Sequence, residues 1–164
     1  MKKILLLSDT HGYLDEAMLK YIKAADEVWH AGDIGTTAVT DEIKKHTKLR
    51  AVYGNIDGGE LRKEFSEKQL FTIEDIKVFM IHIGGYPGRY SPKAREIIRK
   101  YPPDLFIAGH SHILKVMYDK TNKLLHMNPG AAGKHGFHHK RTMLRFVIDK
   151  GDIKNLEVIE LGKR

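Results

Sequence analysis

The apolar run DLFIA breaks at Gly109 and delivers two histidines, His110 and His112, with the small Ser111 between them. Other apolar runs deliver polar groups in the same way: Asp9 and His11 follow the first, Asp33 closes the second, Asn55 follows the third, and His82 lies in the fifth. Together these are two carboxylates, one amide and four imidazoles. There is no cysteine, which removes a disulfide framework, a thiolate zinc site and a cysteine nucleophile, so any metal must be held by nitrogen and oxygen. A four-ligand zinc site would leave three of the seven groups over. Two ions about 4 Å apart, sharing one bridging carboxylate, would use them all. Each piece alone is common, and its ordinary reading is a cap or a hydrogen-bonded histidine. Their recurrence at strand ends is the signal.

The elements that must position these groups follow from periodicity and punctuation. Residues 3–9, 27–33 and 49–55 read as strands, and 13–26 and 36–46 as helices, a βαβαβ run that signifies a mostly parallel sheet. Residues 69–75 and 77–84 form a hairpin about Asp75, and Ser91-Pro92 supplies a cap and first-turn proline for a helix over 91–101 that Pro102-Pro103 stops. The strand leading to His110 follows, then a hairpin about Thr121-Asn122 and two closing strands, 142–149 and 153–161. In open α/β sheets the crevice at the carboxyl ends of the strands is where ligands bind, so separate segments deliver polar groups to one rim.

A chain of 164 residues without repeats or linkers predicts a single domain, 1–164. The opening apolar stretch is too short for a membrane span or a signal segment, which predicts a soluble, cytoplasmic protein. A net charge of +7 favours an anionic partner such as a phosphate ester or nucleic acid, although a generally basic surface gives the same number.

Taken in order, SDTHG, AGD, YGNID, IHIGG and AGHSH resemble the five motifs of the calcineurin-like metallophosphoesterase superfamily. The short chain and the NPGAAG stretch at 128–133 resemble its small, one-domain YfcE-like phosphodiesterase branch in particular. The resemblance runs from Lys3 to about Val158. It implies an α/β fold, a two-sheet β-sandwich flanked by helices in αββα layers. It also implies one ion held by Asp9, His11, Asp33 and His112 and a second by Asp33, Asn55, His82 and His110, with Asp33 bridging. Manganese is the metal the family implies most often; nickel, zinc, iron and magnesium also fit. A bridging residue must be a carboxylate, because only a two-oxygen anion partly neutralises both cations. Asn55 is a neutral oxygen donor that leaves room for a phosphate anion. A hydroxide held between two such ions would attack phosphorus in line.

One departure from the family pattern matters. Where much of the superfamily has a histidine after the Gly-Asn pair, to protonate the leaving oxygen, this chain has Ile56. YfcE-like members lack that histidine too. A missing general acid, worth ~10²–10⁴-fold, favours esters with good leaving groups. Replacement donors are sought among His135, His138 and His139, with His138 preferred because Gly136 frees the loop to fold inward and Phe137 can anchor it by burial; the other reading of this loop is a solvated basic turn. His30 reads as a core or ligand-supporting histidine, Asp57 as a turn or supporting group, and His46 and His126 as surface and strand positions. Lys134, Lys140 and Arg141 are candidates to meet a substrate phosphate, and the amides of NPGAAG candidates to face it.

The leading function is therefore a metal-dependent phosphodiesterase acting on small phosphodiesters, with a homo-oligomer compatible. A nuclease or nucleotide phosphatase on the same site is the alternative, disfavoured because no added domain or aromatic-rich basic strip binds a long strand. A non-catalytic protein-binding scaffold ranks last, since a scaffold relative with this fold has lost part of the ligand set and all seven groups are present here.

Overall fold

The computed structural model describes residues 1–164. Its first strand, β1 (Lys2–Leu7), is buried from Ile4 onward on both faces, as a run of Ile-Leu-Leu-Leu requires. Ile4 and Leu6 join one core with Trp29, Met80, Ile107 and Phe146, whereas Leu5 and Leu7 join another with Met18, Ile22 and Ile43. The strand is thus covered by a sheet on one side and helices on the other. Two five-stranded sheets result. One has the order β12-β11-β1-β2-β3, where β2 is Glu27–His30, β3 Lys48–Ala51, β11 Lys140–Asp149 and β12 Asp152–Lys163. The other has the order β4-β5-β8-β10-β9, with β4 Lys68–Ile73, β5 Ile76–Ile81, β8 Leu105–Ile107, β9 Leu114–Asp119 and β10 Leu124–Pro129. Strand β1 runs parallel to β2 and antiparallel to β11.

Helices α1 (Glu16–Ala24) and α2 (Thr37–Lys44) cover the outer face of the first sheet. Helix α4 (Pro92–Lys100) covers the second, where Phe79 and Phe106 meet Ala94 and Ile98. The αββα sandwich implied by the family resemblance is what forms, in two mixed sheets rather than the mostly parallel one that the βαβαβ run alone signified. The caps are also as read: the Ser91 hydroxyl accepts from the Ala94 amide at 3.2 Å, with Pro92 opening the helix. Helix α1 starts later than 13 because the Asp15 carboxylate accepts the Met18 amide at 2.9 Å and fixes the first turn there. The sequence also gave no notice of the short α3 (Gly59–Glu64) or of the β6–β7 hairpin (Gly85–Tyr86 and Arg89–Tyr90). No helix is long and apolar enough to cross a membrane.

Three strands end sooner than their apolar runs do, at Leu7, His30 and Ala51, so Asp9, Asp33 and Asn55 sit on loops beyond the sheet, and His82 likewise falls just past β5. The histidines left within strands are His30 and His126. His126 Nδ1 donates to the Phe106 carbonyl at 3.1 Å, and burial draws both rings down to a pKa of about 4. Both are neutral in the fold but protonated in the unfolded chain below pH 6.5. The unfolded state therefore binds more protons between pH 6.5 and 4, and stability falls as the pH falls through that window, by about 3 kcal/mol per ring. Urea unfolding at pH 7 and 4.5 should show stability depending less on acid in His126→Asn, which keeps a donor for Phe106, than in wild type, a difference that cancels the opposite contribution of other titrating groups; identical pH dependences of the two proteins would contradict it.

Candidate metal centre

All seven groups gather at one rim, and the backbone there is unusual. Asp9 (φ 56°), His11 (45°), Asp33 (56°), His110 (72°) and His112 (62°) all have left-handed backbone. Such a conformation disfavours any residue other than glycine, though Asp and His tolerate it better than most. Interlocked hydrogen bonds hold it: the amides of Asp9 and His11 donate to the carbonyls of Gly32 and Asp33 at 2.9 and 3.0 Å, and Gly133 donates to the Asp9 carbonyl at 3.1 Å. Asp57, buried, accepts from the amides of Ile34, Gly35 and Gly54 at 3.0, 2.9 and 2.8 Å, strapping the second and third loops together.

Each carboxylate commits one oxygen to the protein and presents the other. Asp9 Oδ2 accepts from the Ser8 hydroxyl at 2.6 Å and the His110 amide at 3.2 Å, which leaves Oδ1 facing His112 Nε2 at 3.1 Å and His11 and His82 Nε2 at 3.9 Å. Asp33 Oδ1 accepts from the Ile56 amide at 3.1 Å, which leaves Oδ2 facing His82 Nε2 at 3.2 Å and His11 Nε2 at 3.6 Å. Asp33 therefore has one oxygen, Oδ2, facing histidines of both clusters, while its other oxygen is held by the backbone. His110 Nδ1 lies 3.0 Å from Asn55 Oδ1.

These contacts define two clusters, Asp9–His11–His112 and Asp33–His82–His110, with Asp33 Oδ2 reaching toward the first. Three buried atoms at their centre, Asp9 Oδ1, His11 Nε2 and His82 Nε2, have no hydrogen-bond partner. Buried polar groups in folded proteins are as a rule paired, and donors about 2.1 Å from one ion at right angles stand about 3 Å apart. The residues therefore fit metal ions. The rings are turned for it: His82 Nδ1 donates to the Ala31 carbonyl at 2.7 Å, so Nε2 keeps its lone pair.

Electrostatics agree. Burial opposes ionisation of Asp9, but the imidazoles of His11, His112 and His82 outweigh it and hold the carboxyl well below the usual range. Asp33 is likewise lowered, by His82 against burial. The Asp9 carboxylate raises His11, and Asp33 and Asp9 raise His82 in spite of its burial. Without cations, the site draws protons onto its own imidazoles.

Supporting groups lie behind. Thr10 Oγ1 donates to the Ile34 carbonyl at 2.9 Å, so it accepts from His30 Nε2, also at 2.9 Å, while His30 Nδ1 accepts the Gly32 amide at 3.1 Å; His30 is a loop support and not a ligand. Asn128 donates to the Gly109 carbonyl at 3.0 Å and to Ser111 Oγ at 3.2 Å, bracing the turn between the two histidines. Ser8, Thr10 and Asn128 were given no role in the sequence reading; their only signal was that they lie within the quoted SDTHG and NPGAAG stretches.

Several expectations are corrected. Arg141, 4% exposed, bonds the Ala132 carbonyl at 2.8 Å and Asp15 at 3.1 Å, so it is an internal strut and cannot meet a phosphate. Lys134 Nζ sits 4.7 Å over the Tyr13 ring, and Lys140 pairs with Glu160 at 3.5 Å. The amides of Gly130, Ala132 and Gly133 are spent on Asn128, Ser8 and Asp9, so NPGAAG buttresses the first loop and does not cradle an anion. Phe137 is 97% exposed and anchors nothing. Gly136 is needed for close approach instead of freedom, since a Cβ there would stand 2.2 Å from His112 Nδ1. His138 packs edge-on to His112, at 5.1 Å between ring centres; its Nε2 donates to the Gly133 carbonyl at 2.8 Å, Nδ1 is buried without a partner, and burial lowers its pKa. His135 lies 4.7 Å from the His11 ring, and His46 is 3.3 Å from Glu42 on the far helix.

A sandwich of two sheets with paired donor clusters at its strand ends is the plan of a metal-dependent phosphoesterase. The calcineurin-like phosphoesterase superfamily domain matches residues 1–151, and the chain belongs to that superfamily. A Methanocaldococcus jannaschii protein described as a probable metallophosphoesterase is 30% identical over 161 residues, covering 94% of this chain and 81% of its own. A structure described as a novel archaeal phosphodiesterase superposes with a TM-score of 0.71 at 23% identity, covering 97% and 99% of the two chains. Vps29 of Entamoeba histolytica, complexed with Zn²⁺, gives 0.73 at 17% identity over 96% and 98%. At these identities the two structures share the fold.

Gly54 tests the site's close packing, because a Cβ there would lie 2.1 Å from Asp33 Oδ1 and 2.3 Å from its amide nitrogen. Gly54→Ala should destabilise the protein by about 1–3 kcal/mol through overpacking and weaken Mn²⁺ uptake at least tenfold, read by urea unfolding and by metal titration. Unaltered uptake would show that the Asp33 position does not depend on this contact.

Proposed function

We propose that the chain is a dinuclear metal-dependent phosphodiesterase acting on small phosphodiesters, of the YfcE-like kind. The observation that carries this reading is the set of unpartnered, buried donor atoms converging on two neighbouring points with Asp33 Oδ2 between them. Asp9, His11, Asp33 and His112 would hold one ion and Asp33, Asn55, His82 and His110 the other, with Mn²⁺ the leading candidate. Two divalent ions would supply an acidic water as nucleophile and positive charge for the phosphoryl oxygens.

The protein's own contribution is charge balance and exclusion of alternatives. Two carboxylates against two dications leave an excess of positive charge for a phosphate, and neutral Asn55 and the imidazoles add ligands without cancelling it. Ile56 presents a half-exposed hydrocarbon where a proton donor would stand, while its amide orients Asp33. His138, with its Nε2 proton given to Gly133, acts as a positioning residue for His112 rather than as the general acid. The likeness to Vps29 supports a scaffold reading of the fold; the presence of all seven candidate ligands, three of them with buried unpartnered donor atoms, supports catalysis over it.

Bis(p-nitrophenyl) phosphate should turn over at least a hundredfold faster than a dialkyl diester, because only the poor leaving group needs a proton. Asp33→Asn should lose most of the second ion by elemental analysis and nearly all activity. His138→Ala should slow both esters by the same factor; slowing the alkyl ester alone would restore it as the proton donor.

A further inference from the structure

A cavity of about 340 Å³ opens beside His110 and Ser111, within the range of small-molecule sites. Its walls include Tyr86, Arg89, Ile113 and Lys115, and no carboxylate lines it. Lys115 Nζ lies 4.4 Å above the Tyr86 ring, and neither Lys115 nor Arg89 has a carboxylate partner. The neighbouring cavity, lined by Tyr53, Asn55, Arg62 and Lys93, differs: Arg62 donates to the Asp57 carbonyl and Lys93 pairs with Glu67 at 2.6 Å. Arg89, and Lys115 held over the ring of Tyr86, which itself lines the cavity, are therefore two cations without a neutralising carboxylate beside one cavity that adjoins the candidate metal centre.

Resting on the proposed phosphodiesterase reading, we propose that this cavity is a subsite for a second phosphate, and that the substrate class is a phosphoanhydride, a diphosphate linking two organic groups. The cleavage balances without an added proton donor. Water oxygen bonds to one phosphorus, the bridging P–O bond breaks, the departing phosphate takes the electron pair, and of the two water protons one passes to solvent and the other stays on the newly formed phosphate monoester. A leaving alkoxide must be protonated, whereas a phosphate monoester has a second pKa of about 6 and departs as an anion. Arg89 offers a bidentate fork to that anion and Lys115 a point charge. The same substrate thus accounts for the hydrocarbon at Ile56 and for the pair of cations without a carboxylate.

The test uses Mn²⁺-reconstituted protein with three compounds: bis(p-nitrophenyl) phosphate, P1,P2-di(adenosine-5′) diphosphate, and the latter's non-hydrolysable methylene-bridged analogue. Wild type should cleave the diphosphate, and Arg89→Ala/Lys115→Ala should lower its kcat/KM at least thirtyfold more than that of the nitrophenyl ester. Calorimetric affinity for the methylene analogue should fall at least tenfold, with Lys115→Arg restoring most of it. Turnover of the nitrophenyl ester with none of the diphosphate, or equal losses on both in the double variant, would overturn the subsite and leave the phosphodiesterase reading standing. Turnover of neither would overturn both.

Discussion

Asp9 and Asp33 lie buried at the same rim, and two carboxylates taken out of water beside one another are costly unless positive charge accompanies them. Much of the structure around them follows from that constraint. Four imidazoles converge on the pair, the committed oxygens are satisfied by Ser8 Oγ and by the amides of His110 and Ile56, and the remaining oxygens point where a cation can sit. The two carboxylates raise His11 and His82, so the pull that would hold a cation there also favours a proton on these rings. Metal and proton compete for the same atoms, so loading releases protons.

Aiming so many donors at one place takes backbone that ordinary strands cannot supply. Five left-handed residues, each costing on the order of 1 kcal/mol, turn the strand ends inward, and three supports hold them against relaxation: the inter-loop amide bonds, the Asp57 strap and the 128–133 buttress. Arg141 closes the arrangement by tying that buttress to the Asp15 cap of α1. The cost of the bent loops is thus spread over contacts with both sheets' connections, which is how strained functional backbone persists in a stable fold.

The strands were legible because their cause is local, whereas their division into two sheets was implied only by the family resemblance. Continuous apolar runs such as Ile4–Leu7 and Leu105–Ile107 announce strands covered on both faces, and Ser91-Pro92 announces a helix start. The gathering of the seven groups was legible from order and chemistry together. What could not be read was direction. Nothing in the string GKHGFHHKR says that Phe137 points to solvent while Gly136 presses on His112, and nothing in NPGAAG says that its amides face the protein. Arg141 looked like a surface cation because its partner Asp15 is far away in sequence, and strand ends were misplaced because buried apolar residues such as Ala31 and Val52 continue the pattern past the last strand residues His30 and Ala51.

Strand β1 has one neighbour close in sequence, β2, and another, β11, near the far end of the chain. During synthesis, at about 5–20 residues per second, the seven donors leave the ribosome well before that second neighbour and before the turn whose amides bind Ser8 and Asp9. The nascent chain would pass through seconds in which it carries a complete complement of imidazoles and carboxylates without the backbone that aims them. Unfolded histidines bind transition metals weakly and without preference for a pair, so productive loading belongs after release of β11. Chain order alone thus makes the rim one of the last features of the fold to be completed.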